Sequence, residues 1–399
     1  MLACYDGTEL LGRPAPPSGP VSLRVLPDSE DFATASALGW TQGLPGFDGT
    51  IAPTDSSAPP RAFSVQQADG RVTVEDVAAR EYRIAGLRWL TAGERGLLPG
   101  GDDALGFATV HRRSLIPGTA QEIRVPASRQ RSLVISEWSF DDYGYQYAGF
   151  LELFNNADTT VYLDGLLIAA GFASTSDYPN FPCSAYLHVT GDSTGIWARF
   201  IQRFPGTGRT YPVPPGGRVV VATDAIDHRA LVDFGLDLRG ADFEFTGSGD
   251  VDNPSVPNMI SVGTINLDHG LHWPPLAAIT IVALPTDVDA LPRLRPRPES
   301  NPNWVRLPRE RILEVLWIRS NYAASEYREC PRLVHPVFDR AGADMRGTDD
   351  VAELYYSLSR KLIPFEVRNR EVLQHTRTGA ADFIRTLRNP FRAPESRAP

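Results

Sequence analysis

Phe150-Leu151-Glu152-Leu153-Phe154-Asn155-Asn156, followed by Val161-Tyr162-Leu163-Asp164-Gly165-Leu166, decides how this chain folds. Leu151, Leu153, Val161 and Leu163 alternate with Glu152, Phe154, Tyr162 and Asp164. A strand sends successive side chains to opposite faces, so a period of two predicts two-faced strands packed as a sandwich. Asn155-Asn156 and Asp164-Gly165 supply the turns, since Asn and Asp side chains bond nearby backbone and Gly accepts positive φ.

The same pattern continues on both sides. Leu133-Val134-Ile135-Ser136-Glu137-Trp138 reads as a strand, and Asp141-Asp142-Tyr143-Gly144-Tyr145 as a loop. Val21-Ser22-Leu23-Arg24-Val25 alternates cleanly. Ala62-Phe63-Ser64-Val65 and Arg71-Val72-Thr73-Val74 flank Ala68-Asp69-Gly70, which predicts a hairpin with a tight turn. Tyr82-Arg83-Ile84-Ala85-Gly86-Leu87 alternates again. Ile312-Leu313-Glu314-Val315-Leu316-Trp317-Ile318 is apolar almost throughout and fits a central strand or a short helix equally well.

Composition agrees. The 399 residues, 42% hydrophobic, suffice for more than one core, and 34 Gly with 34 Pro favour many short strands over long helices. No stretch approaches the ~18–20 apolar residues of a membrane-spanning helix. A formal charge of −9 argues against nucleic acid as a partner. Lys361 is the single lysine, which removes Schiff-base and P-loop lysines from the rest of the chain. Residues 5 to 20 are Pro-rich and suit a tether, and 285–303 is a Pro- and Arg-rich excursion.

Several segments resemble known families. Residues 62 to 87 resemble the prealbumin-like (carboxypeptidase regulatory-like) modules of secreted bacterial proteins. The order from Trp138 through Leu151–Asn156 and Val161–Leu166 is similar to the lamin-tail fold, an immunoglobulin-like β-sandwich. Tyr211-Pro212-Val213-Pro214-Pro215-Gly216-Gly217 with Arg218–Ala222, and Ser357-Leu358-Ser359-Arg360-Lys361, match its later strands. Asp224–His228, Asp250–Pro254, and Val372–Thr376 with Asp382-Phe383 resemble recurring segments of an uncharacterised secreted lipoprotein family that joins the two modules. Met1-Leu2-Ala3-Cys4 resembles the end of a bacterial lipoprotein signal, which implies lipid on Cys4 and an extracytoplasmic place. Cys183 and Cys330 then remain as a pair. An exported protein would join them in a disulfide worth about 4–5 kcal/mol, and two buried thiols are the alternative.

The expected architecture is therefore all-β, two β-sandwich domains with long loops and few short helices. Residues 1–20 form the lipoprotein-like N-terminus and tether, 21–130 a prealbumin-like sandwich, and 131–399 a lamin-tail-like sandwich.

Candidates for chemistry are few. Gly191-Asp192-Ser193-Thr194-Gly195 satisfies the G-x-S-x-G pattern of a hydrolase nucleophile elbow, and Ile196, Trp197, Phe200, Ile201 and Phe204 could line a short amphipathic helix after it. That sequence is also ordinary turn vocabulary, and the βαβ rhythm around it is missing. Asp250, Asp252 and Asn253 space oxygen ligands as calcium loops do, without the Gly and distal Glu of an EF-hand; an Asx turn before Pro254 accounts for them equally. His269 and His272 have a two-His spacing with no further zinc ligands at a matching distance. Tyr143, Tyr145, Tyr147, Tyr178 and Phe181 mark aromatic loops suited to a protein interface or to stacking on sugars. The sequence thus predicts a non-catalytic, cofactor-free binding or structural module docking to a protein partner such as a membrane complex. A glycan- or matrix-binding adhesin is the first alternative, and a secreted hydrolase the second.

Overall fold

The computed structural model describes residues 17–55, 58–99, 104–129, 133–139, 149–171, 191–231, 235–246, 251–262, 279–294, 304–319, 332–345, 355–362 and 371–391. Strand accounts for 49% of the structure and helix for 9%, so the chain is an all-β protein of sandwich type. It divides into two compact units, Met1–Ser128 and Arg129–Pro399.

The first unit holds a three-stranded sheet ordered Arg71–Ala78, Ser18–Pro27, Ala120–Val125. Its five-stranded sheet runs Arg61–Ser64, Asp48–Pro53, Arg80–Trp89, Ala104–Leu115, Ala127–Arg129. Val21, Leu23, Val25, Ile51, Phe63, Ile84, Phe107 and Ile123 meet in one core, which the alternating pattern anticipates. Two expectations fail here. Ser18 to Pro20 lie in the first strand, with Ser18 opposite Ala78, so the tether does not extend through residue 20. The Asp69-Gly70 turn exists, with Gly70 at φ +78°, but its flanking strands do not pair with each other. Arg61–Ser64 pairs with Asp48–Pro53, and Arg71–Ala78 with Ser18–Pro27. The reason is long-range: Val25 donates its N–H to the Gly70 carbonyl (2.8 Å), which seats the turn on the first strand and carries the chain into the other sheet.

The second unit holds a six-stranded sheet ordered Phe243–Glu244, Arg218–Ala222, Phe150–Asn155, Leu133–Ser139, Tyr356–Arg360, Phe383–Leu387. A second sheet runs Arg293–Leu294, Trp304–Pro308, Gly195–Arg203, Leu167–Gly171, Ile279–Ala283, Ile312–Arg319, Ala343–Asp344, with Ile260–Val262 paired to Gly195–Arg203. Leu133, Ile135, Leu151, Leu153, Val219, Val221 and Leu358 of the first sheet pack against Ile168, Val282, Leu316 and Ile318 of the second. The outer face of the second sheet is also covered, by Leu333, Val334 and Phe338 packed on Ile196, Ile281 and Val315. Burial on both faces explains why 312–318 is apolar nearly throughout: it is a strand next to Ile279–Ala283. The expected helix after Ser193 is instead the antiparallel strand Gly195–Arg203.

The strand Gly195–Arg203 carries a bulge. Pairing of Leu167–Gly171 with Gly195–Arg203 shifts register across Phe200, which sits at φ +51°. A bulge inserts one residue and resets the alternation. Apolar side chains then recur at 196, 197, 200, 201 and 204, a spacing that imitates a helix. Arg199 lies over the rings of Phe200 (4.6 Å) and Trp304 (4.8 Å) at this point.

Candidate functional site

Three polar constellations stand out in the second unit. The first is the Gly191–Gly195 turn. Asp192 accepts the Thr194 N–H (2.8 Å) and hydroxyl (2.6 Å), and Arg306 grips it with Nε on Oδ2 (2.7 Å) and Nη2 on Oδ1 (3.2 Å). The Arg306 guanidinium holds the Asp192 carboxyl down at about 2. A shallow cleft beside this turn is lined by Asp192, Ile196, Ile279, Leu333, Val334 and His335. His335 accepts the Val337 N–H at Nδ1 (3.2 Å). Ser193 precedes an antiparallel strand, whereas a nucleophile elbow needs a strand-to-helix bend. The Gly-Asp-Ser-Thr-Gly sequence serves here as an ion-paired turn.

The second constellation is buried. Arg360, 1% exposed, donates Nε to the Ile135 carbonyl (2.6 Å) and Nη1 to the Gln374 carbonyl (3.0 Å). It also pairs with Glu314 (3.1 Å) and Asp382 (3.3 Å), and its guanidinium lies 4.3 Å over the Phe383 ring. His375 Nε2 lies 3.2 Å from the second Glu314 oxygen. Asp382 accepts the Thr376 N–H (2.8 Å) and hydroxyl (2.8 Å) and the Gln374 amide (3.2 Å). Nearby, Asp339 accepts N–H groups from Gly379, Ala341 and Trp317, yet complete burial pushes it up to about 8. Burial lowers Lys361, which donates to the Ala381 carbonyl (2.6 Å). Asn156 locks onto the same region by donating to the Leu373 carbonyl (3.0 Å) and accepting its N–H (2.9 Å). The segments singled out as recurring, Val372–Thr376 and Asp382-Phe383, are brought together here around one arginine.

The third lies at the sheet edge. Asp224 follows Arg218–Ala222, and Glu244 ends the neighbouring parallel strand, with Ala222 opposite Glu244. Glu244 accepts N–H groups from Ala225 and Asn253, each at 3.0 Å. Asn253 donates Nδ2 to the Ala225 carbonyl (2.8 Å) and accepts the Ser255 N–H (3.1 Å), the expected Asx turn. Asp252 accepts Asn258 Nδ2 (2.6 Å). Burial raises the Asp224 carboxyl to about 6, against the Val251 N–H and with the Glu244 charge adding to the rise. Glu244 is raised by burial too. Among the described residues, no group of three His, Cys, Asp or Glu side chains is gathered as a metal cage.

The remaining sequence candidates lie outside the described residues: Cys4, Cys183, Cys330, Asp250, His269, His272, Tyr143, Tyr145, Tyr147, Tyr178 and Phe181. What sequence reasoning missed is the interior charge. Glu137, Glu152, Glu314 and Arg360 occupy strand positions that read as ordinary polar faces, and only the rarity of Lys hinted that arginine does the structural pairing.

With this geometry in place, no protein-family model matches the chain, nor does any curated protein. A solved structure does. The crystal structure of a DUF4876 family protein from Bacteroides thetaiotaomicron VPI-5482 is similar over 92% of this chain and 94% of that one. The TM-score is 0.50 and the identity 17%, so the likeness is one of fold. A DUF3823 family protein from Bacteroides uniformis ATCC 8492 aligns over 73% of this chain and 98% of that one, at 10% identity and a TM-score of 0.16, too low to carry any argument.

Proposed function

We propose that this chain is a non-catalytic extracytoplasmic module, held at a membrane surface through lipid on Cys4, that docks to a protein partner such as a membrane complex as an accessory subunit. The observation that carries this reading is how its buried polar side chains are used. Arg360, Asn156, Asp382 and Glu244 each bond backbone of non-strand segments: Gln374, Leu373, Thr376 and Asn253. Such bracing pre-organises connections on a rigid sandwich, which lowers the ordering cost of binding. The proposal includes a prealbumin-like first unit, a lamin-tail-like second unit, and a Cys183–Cys330 disulfide across the latter. A glycan- or matrix-binding role is the second reading, favoured by the aromatic residues of the 143–147 and 178–181 segments.

Intact-mass analysis of the protein isolated from its native membrane tests the anchor: lipid on Cys4 is expected, and an unmodified thiol there removes it. Stoichiometric co-purification with a membrane complex after detergent extraction supports docking. Retention on a glycan array by protein that co-purifies with nothing favours the second reading instead.

A further inference from the structure

We propose that Arg83 and Arg112 form a binding site for a dianionic phosphate group on the outer face of the five-stranded sheet of the first unit. Arg83 lies in the strand Arg80–Trp89 and Arg112 in Ala104–Leu115, directly opposite each other in the antiparallel register. Directly opposed residues share a face, with Cβ atoms about 4.5–5.5 Å apart. Tyr82 and Ile84, on either side of Arg83, belong to the core, so the two guanidiniums leave from the other side of the sheet. Arg112 is exposed and Arg83 half-buried. The Arg83 Nε is buried and has no hydrogen-bond partner. Burial holds Arg83 below the ordinary arginine value, and the Arg112 charge lowers it further. The other described arginines of this unit are placed differently. Six of them pair with a carboxylate, and Arg95 and Arg113 each donate to a backbone carbonyl. Among the described residues, neither Arg83 nor Arg112 has such a partner, and Glu81, the next residue on their face, makes no ion pair with either.

Like charges directly opposite on a sheet destabilise it, and a desolvated donor without an acceptor adds to the cost. A bound anion removes both penalties. A carboxylate neutralises one of the two charges, whereas a phosphate with two ionised oxygens neutralises both and offers acceptors to both forks at once. Arginine suits this task, since its guanidinium is planar, weakly hydrated and matches phosphate oxygens in pairs. The free phosphate ion and the phosphate monoester of a larger molecule share that chemistry. The site stands apart from the anchor and the docking role proposed above and does not depend on either.

Equilibrium dialysis of the full chain against radiolabelled inorganic phosphate tests the site, in a low-salt buffer at slightly alkaline pH, where phosphate carries two charges. Saturable binding of one phosphate per chain is expected. Arg83→Gln should abolish it, and Arg112→Gln, at the exposed position, should weaken it by about tenfold or more. Arg113→Gln, one residue along on the opposite face, should leave it unchanged. In phosphate-free buffer, Arg112→Gln should also raise the unfolding midpoint, because it relieves a like-charge pair. Those two readouts remain even where Arg83→Gln fails to fold. Competition separates the two sources, and either result sustains the site: glycerol phosphate displacing the label as well as unlabelled phosphate does points to a monoester on a larger molecule, and displacement by phosphate alone to the free ion. No saturable binding by the unaltered chain would overturn the site. So would equal affinity in Arg112→Gln, a midpoint lowered by that substitution, or equal displacement by singly charged acetate.

Discussion

At the scale of single residues, the interior of the second unit is held by charge as much as by apolar contact. Arg360 answers two carboxylates and two carbonyls from one buried position. Removing one partner of a buried pair strands the other charges, at about 3–5 kcal/mol. Arg360→Ala is expected to lower unfolding free energy by that amount in urea titrations, and a loss under about 1 kcal/mol would show the network to be idle. Asp339 gives a second residue-scale prediction. Its folded value, about 8, lies above the usual carboxyl value near 3.8, so the folded state keeps a proton that the unfolded chain has released. The resulting stability is complete below about pH 4 and drains away as pH rises towards 8, with a slope of at most about 1.4 kcal/mol per unit for one proton. The pH dependence of the unfolding midpoint should flatten across that window in Asp339→Asn. An unchanged profile refutes the assignment.

Elements show where local signals suffice and where they do not. Val21, Leu23 and Val25 announce a strand because one face is buried and the other half-exposed. Asp69-Gly70 announces a turn equally well, but not its partners. A Cβ on Gly70 would collide with the Val25 carbonyl, and its φ of +78° disfavours any other residue. Gly70→Ala is accordingly expected to destabilise the first unit by more than about 1 kcal/mol, read by thermal melts. Were the turn a free hairpin tip, the cost would be confined to the φ preference. The strand Ile312–Arg319 packs Leu316 into the inter-sheet core and Val315 into the outer cluster. Leu316→Ala should cost about 2–5 kcal/mol, measured by chemical denaturation. A helix could have exposed one of these neighbours; a doubly covered strand exposes neither. The Phe200 bulge makes its own strand, Gly195–Arg203, read as helical, because one inserted residue breaks the period of two.

For the whole molecule, two units with separate hydrophobic clusters imply separate folding. Residues 17–128 expressed alone should melt cooperatively, and a featureless thermal scan would count against their autonomy. Alternation, turn residues and a Gly- and Pro-heavy composition determined the all-β class from sequence, since those signals depend only on neighbours along the chain. Tertiary structure alone decided which strands share a sheet, that Arg360 pairs with both Glu314 and Asp382, and that Asp224 lies beside Glu244 at a sheet edge. Residues some twenty to over two hundred positions apart make those contacts, and a buried carboxylate and a solvated one look the same until the chain has closed around them.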